Sequence, residues 1–159
     1  MPLSNYERMI KLADDSFAAK SDPDQLDVDQ EVIERLQKIH PDSVSEYDDG
    51  NGPVAWVVLL PTTFALMQQF LDKEITEREL YDLTPFNITY DALYLCSALV
   101  LDEYRRKGIA KRLALEAIAK MRRNHPIKAL FVWVFSHEGD LASATIAAEV
   151  SLPLYKRLK

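Results

Sequence analysis

The chain has 159 residues and 18.2 kDa, with 48% hydrophobic and 28% charged residues and a formal net charge of −6. That balance predicts one soluble globular domain over residues 1–159, large enough to bury a core. No apolar run is long enough to span a membrane, and the start MPLSNYERM lacks the hydrophobic region of a signal peptide, so a cytoplasmic protein is expected. A single cysteine, Cys96, excludes an internal disulfide, and its apolar surroundings predict a small core residue rather than a nucleophile. His40, His125 and His137 share no ligand spacing, so no metal is expected.

In chain order, residues 4–19 read as a helix with Ser4 as N-cap and Met9, Ile10, Leu12 and Phe17 apolar. An acidic connection containing Pro23 leads to a second helix over 29–39, with Val32, Ile33 and Leu36 inward and Pro41 beyond its end. Ser43–Tyr47 reads as a strand, residues 48–52 (DDGNG) as a tight turn, and Val54–Leu60 as the antiparallel partner, closed by Pro61. Residues 62–72 are helical, and a shorter helix follows from Thr76, whose spacing to Glu79 is that of a capping box.

The run from Ala92 to Leu101 (ALYLCSALVL) is apolar enough for a central strand buried on both faces. Strict alternation would put Leu93, Leu95, Leu99 and Leu101 in the core, with Tyr94, Cys96, Ala98 and Val100 on a cleft side. From Ile109 the period becomes helical, through Leu113, Ala114, Ala117, Ile118 and Met121. Between strand and helix stands a cationic turn, Arg105-Arg106-Lys107-Gly108, holding one of only four glycines. Such a turn presents free backbone N–H groups to a phosphate. The basic residues between Arg105 and Arg123 also invite a nucleic-acid reading, but they sit on one turn and one helix of an acidic protein, which would repel a polyphosphate. No nucleic acid and no membrane are therefore expected as partners. After a turn at residues 124–126, Lys128–Ser136 reads as a buried strand, residues 138–140 as a loop, and the last stretch, including residues 152–157, as helix. His137 and Glu138, just past that strand, are weak candidates for a base or substrate contact, as is Tyr94.

The stretch Val100 to Ala110 (VLDEYRRKGIA) resembles the signature of the GNAT superfamily of N-acetyltransferases: Arg or Gln, two variable positions, Gly, one position, then Gly or Ala. Arg105, Gly108 and Ala110 fall in register, the order of elements agrees, and Leu154-Tyr155 looks like the Leu-Tyr of the family's last helix. The resemblance covers about residues 4–158. It implies the acyl-CoA N-acyltransferase fold: α/β, with a mixed central sheet flanked by helices. Here a helical insertion replaces the usual third strand and the C-terminus is truncated, leaving a sheet edge that a homodimer partner could cover.

The resemblance further implies acetyl-CoA as co-substrate, with its pyrophosphate on Arg106, Lys107, Gly108, Ile109, Ala110 and Lys111 beside Arg105. Its pantetheine arm would lie along Ala98, Leu99 and Val100. The backbone N–H of Val100 would polarise the thioester carbonyl, and Tyr155 would return a proton to the leaving thiolate. The implied activity is transfer of an acetyl group to a primary amine, on a small molecule or a protein, by direct attack in a ternary complex. The alternative is a catalytically degenerate acyl-CoA-binding sensor or interaction module. Asp102 stands where the family often has Pro, Ala148 where it has Asn, and Arg106 where it often has Gly, which calls for ordinary backbone angles at Arg106.

Overall fold

A computed structural model describes residues 3–20 and 30–158, with side chains between 3 and 15 and from 30 onward. The Phe17 side chain and the connection around Pro23 lie outside the described residues. Helix α1 spans Asn5–Lys20. The Ser4 hydroxyl accepts from the Glu7 N–H at 3.1 Å and the Glu7 carboxylate accepts from the Ser4 N–H at 3.3 Å, a reciprocal cap. Helix α2 (Gln30–Ile39) buries Val32, Leu36 and Ile39. Strands β1 (Val44–Asp48) and β2 (Pro53–Thr62) form the expected hairpin. Two helices follow, α3 (Phe64–Leu71) and α4 (Glu77–Leu83), and Thr76 and Glu79 make the capping box. Next come β3 (Ala92–Val100), α5 (Ile109–Asn124), β4 (Ala129–Trp133), α6 (His137–Val150) and β5 (Leu154–Arg157).

The result is a mixed five-stranded sheet in the order β1-β2-β3-β4-β5. The first three strands are antiparallel, whereas β3, β4 and β5 run parallel through the crossovers α5 and α6. One face carries α1, through Met9 against Val54 and Leu101, and α3, through Phe70. Phe70 is fully buried, with ring centroids 5.1 Å from Tyr94, 5.9 Å from Phe131 and 6.0 Å from Trp133. Burying such a side chain contributes about 1.5–3 kcal/mol. Helix α5 crosses the sheet over β1, β2 and β3, with Arg112 stacked on Tyr47.

Several expectations need correction. Pro61 does not close β2, because pairing runs on through Pro61–Leu93 to Thr62–Ala92. Pairing of β2 with β1 ends at Val58, so the edge on which Pro61 lacks a donor has no strand beside it. The strand expected over 128–136 stops at Trp133, and residues 138–140 are helix, not loop. Ser136 caps that helix by accepting from the Gly139 N–H at 3.0 Å, and Glu138 and Asp140 complement its positive end. Residues 154–157 are strand rather than helix. Helix α6 terminates at Ser151 in a left-handed conformation (φ 57), Pro153 bars its continuation, and β4 offers a free edge that Leu154–Arg157 take in full register.

Strict alternation along β3 also fails. Ser97 pairs with Val58 but Leu95 pairs with Leu59, so Cys96 is the extra residue of a β-bulge. The bulge reverses parity: Leu93 and Leu95 share a face with Ala98 and Val100, while Tyr94 shares its face with Leu99 and Leu101.

Candidate functional site

Strands β3 and β4 pair only from Ala92–Ala129 to Tyr94–Phe131. Beyond Tyr94, β3 bulges and stays with β2, whereas β4 ends at Trp133 and hands over to α6. The edge of β3 that faced β4 is therefore open from Leu95 onward. The Leu101 N–H donates to the Val54 carbonyl at 3.0 Å. Backbone alternation then directs Leu99 to β2 as well, and sends the N–H and C=O groups of Ala98 and Val100 to the open edge. Of the three residues expected along a ligand arm, two thus offer backbone groups to the fork and Leu99 does not. The fork lies at the carboxyl ends of two parallel strands, each followed by a helix, which is where open α/β sheets bind ligands.

The segment after β3 leaves backbone donors free at the start of a helix. Residues 102–104 form a 3-10 turn, with the Arg105 N–H donating to the Asp102 carbonyl at 3.2 Å. Arg106 (φ 63) and Gly108 (φ 75, ψ 14) are both left-handed. Arg106 therefore lacks the ordinary angles its residue type calls for. The requirement lies in the turn's path, and the side chain absorbs strain of about 1 kcal/mol. A Cβ on Gly108 would meet nothing within 4 Å, so backbone conformation, not crowding, requires glycine, and the space before it is open. The first helical bond of α5 runs from the Arg112 N–H to the Gly108 carbonyl at 3.0 Å, which leaves the N–H groups of Ile109, Ala110 and Lys111 ahead of it. These donors, and the partial positive charge of the helix end, face the open side of the turn.

The nearby cations are partly committed. Arg105 Nε donates to the Val100 carbonyl at 3.3 Å, and its Nη1 lies 3.5 Å from Asp102. The Lys107 ammonium sits 5.4 Å from the Tyr104 ring centroid, and Lys111 pairs with Glu149. A brace from α1 fixes the 3-10 turn. Arg8 grips Glu103 with two bonds of 2.5 and 2.7 Å, holding that carboxyl down to about 2. The Tyr104 hydroxyl donates to Asp49, which raises the phenol and lowers the carboxyl, and Asn5 donates to the same carboxylate at 3.1 Å.

On the α3 face, beneath the fork, the polar groups are buried. Tyr94 is 1% exposed, and its hydroxyl donates to Glu77, itself buried at the start of α4. Burial, with the Glu77 carboxylate next, pushes the Tyr94 phenol well above its ordinary value. The Arg157 guanidinium lies 4.5 Å from the Phe70 centroid and 4.6 Å from that of Trp133, and donates to the Ile75 carbonyl at 2.8 Å. Arg157 Nε and Trp133 Nε1 are buried donors with no hydrogen-bond partner. Glu77 and Arg157 were not legible as site residues: one reads as the first turn of a capped helix, the other as the end of a surface helix. Tyr155, on β5, pairs with Phe131 of β4 and is 42% exposed, on a strand where the Leu-Tyr resemblance implied a helix. His137 and Glu138 are exposed in the first turn of α6. The structure thus brings together Ala98, Val100 and the 105–111 turn; it places Tyr94 in the core and Tyr155 two strands away from β3.

Among the described residues no group of His, Cys, Asp and Glu is placed to hold a metal ion, and no helix is long and apolar enough to cross a membrane. The sequence matches the model of the acetyltransferase (GNAT) family over residues 6–144. No curated protein matches the chain closely enough to count as a relative. With most of its length covered by the family model, and with the mixed sheet that the fold requires, the chain belongs to the GNAT family, whose members transfer acyl groups from acyl-CoA.

Proposed function

We propose that the chain transfers an acetyl group from acetyl-CoA to a primary amine in a ternary complex. The observation that carries this reading is the continuity between the open edge of β3 and the left-handed turn at Gly108. A ligand with an amide-bearing arm and a pyrophosphate fits that path, the arm adding to β3 at Ala98 and Val100 and the phosphates meeting the N–H groups of Gly108 to Lys111. Adenosine phosphates alone would leave the strand edge unused, and an acyl group alone would leave the turn unused.

The Val100 N–H, aimed at the open edge, is suited to the thioester oxygen as charge develops there. One such donor contributes about 3 kcal/mol of transition-state stabilisation. The amine nitrogen bonds to the carbonyl carbon as the carbon–sulfur bond breaks; the nitrogen sheds its surplus proton to water, and Tyr155, across the fork on β5 and open to solvent, supplies one to the departing thiolate through water and regains its own from solvent. The acceptor enters by the fork beside the helical insertion; Tyr94, Glu77 and Trp133 are buried behind that wall and hold it in place. His137 and Glu138, exposed at the start of α6, contact it from the rim.

Isothermal titration with acetyl-CoA, followed by thiol release across a panel of primary amines, tests the proposal. Saturable binding with amine-dependent release supports it. Absence of binding at millimolar acetyl-CoA refutes it, and binding without release for any amine identifies a non-catalytic acyl-CoA module.

A further inference from the structure

At the end of α5 remote from Gly108 lies a second cleft, of about 480 Å³. It is bounded by the C-terminal ends of α2 and α5 and by the segment leading into β3. His40 directly follows α2 and His125 follows α5, and their rings meet edge to face with centroids 5.5 Å apart. Tyr90 closes one side, its ring centroid 5.0 Å from that of His125.

Each imidazole has one nitrogen already committed as an acceptor. The Asp42 N–H donates to His40 Nδ1 at 3.0 Å, and the Tyr90 N–H donates to His125 Nδ1 at 3.2 Å. A neutral ring accepting at Nδ1 carries its proton on Nε2, so the remaining nitrogen of each ring is a donor. Lys120 and Arg123, from the last turns of α5, line the same cleft. Asp42 is its one carboxylate and is already engaged, 3.7 Å from His40 Nδ1 and 3.8 Å from Lys120 Nζ. Among the described residues Arg123 has no ion-pair partner.

Cations in a final helical turn offset the helix dipole, and Lys120 and Arg123 do so here. That role accounts for neither the cavity nor the two imidazoles that share a wall of it, each with its remaining nitrogen a donor. The partial negative charge of two helix ends and Asp42 roughly balances Lys120 and Arg123, so the decisive groups are the imidazoles, each of which keeps an Nε2–H to donate. A carboxylate offers two oxygens in one plane. The His40 Nε2–H arrives from the α2 end and the His125 Nε2–H, Lys120 and Arg123 from the α5 end, a spread of four donor groups that suits an anion with more than two oxygens. The cleft is also far larger than a bare oxyanion, with Ile39, Pro41 and Ile88 supplying an apolar wall.

We infer that this cleft binds a small organic phosphate, its oxygens held by the Nε2–H groups of His40 and His125 together with Lys120 and Arg123, its organic part on Ile39, Pro41 and Ile88. The site is separate from the acyl-donor turn and does not depend on the acyltransferase reading. Burial lowers the affinity of His40 for a proton, with Asp42 opposing this and His125 adding to it. Burial likewise raises the Tyr90 phenol, which stays neutral. Protonation at either Nδ1 would displace the backbone N–H that it accepts, so each ring meets the anion through Nε2–H.

The test is imidazole NMR on the full chain, which has only three histidines. Sulfate probes the oxyanion; phenyl phosphate probes the apolar wall; benzoate is the carboxylate control. Saturable shifts of His40 and His125 are expected while His137, in the first turn of α6, stays put. Phenyl phosphate binds more tightly than sulfate. Arg123→Gln and, independently, Lys120→Gln each weaken binding roughly tenfold, with the unmoved His137 resonance reporting an intact fold. Absence of saturable shifts, an equal response at His137, or benzoate binding as well as phenyl phosphate would overturn the inference.

Discussion

Replacing Gly108 separates the two demands that the anion turn makes on one residue. Its φ of 75 costs an ordinary side chain about 1–2 kcal/mol, and alanine recovers roughly half to one of that through its stiffer unfolded chain. Because a Cβ there meets nothing within 4 Å, no steric cost is added in the free protein. Gly108→Ala should therefore lose only about 1 kcal/mol of stability, lowering Tm by about 2–4 °C for a chain of this size. Its effect on acetyl-CoA should be larger. The new methyl occupies the open space through which a pyrophosphate reaches the N–H groups, and losing one hydrogen bond to a charged oxygen costs about 1.5–3 kcal/mol, or roughly ten- to a hundredfold in Kd. Asparagine tolerates the left-handed region, so Gly108→Asn should melt close to the native protein yet still bind acetyl-CoA weakly. Thermal melts and isothermal titration on both variants decide the matter. Native-like affinity in both variants, or full recovery of affinity in Gly108→Asn, would refute the placement of phosphate at this turn.

Arg106→Gly should relieve the left-handed strain at φ 63 and raise stability by about 0.5 kcal/mol after the entropy of glycine is counted, read by urea unfolding; a loss of stability would show the arginine side chain to be structural. Glu103 is held down to about 2 by Arg8, below its ordinary 4.5, so its contribution is present above 4.5 and is lost as pH falls towards 2. Glu103→Gln should thus flatten the acid side of the stability profile over that window, and an unchanged profile would contradict the brace from α1. Tyr155→Phe removes only a hydroxyl from a side chain that is 42% exposed, so Tm should hold while thiol release falls at least about tenfold. Unaltered turnover would remove Tyr155 from the chemistry.

What the sequence made legible is local chemistry that needs no neighbour. The Thr76–Glu79 capping box, the Ser4 cap and the Gly108 turn each state their geometry in a few adjacent residues; all three form, with Arg106 in the last of them left-handed where ordinary angles were expected. The open edge of β3 was harder, because a strand's partners are set by distant segments. The bulge at Cys96 has no signature within ALYLCSALVL, and it alone decides that Leu99 faces α1 while Ala98 and Val100 face away. The same limit explains β5. Leu154–Arg157 carry no strong strand propensity, and only the vacant edge of β4, reached once Pro153 has ended the helix, makes them a strand. Glu77 and Arg157 stayed hidden for a related reason: each is polar, and nothing beside it in sequence says that it is buried.

The central claim is that the phosphates of an acyl-CoA rest on the backbone N–H groups at the start of α5. Titration of the uniformly ¹⁵N-labelled chain with acetyl-CoA tests it directly, residue by residue. The predicted result is saturable downfield movement of the Gly108, Ile109, Ala110 and Lys111 amides, with the Ala98 and Val100 amides moving alongside them. Saturation that leaves the amides of residues 108–111 in place would contradict the account.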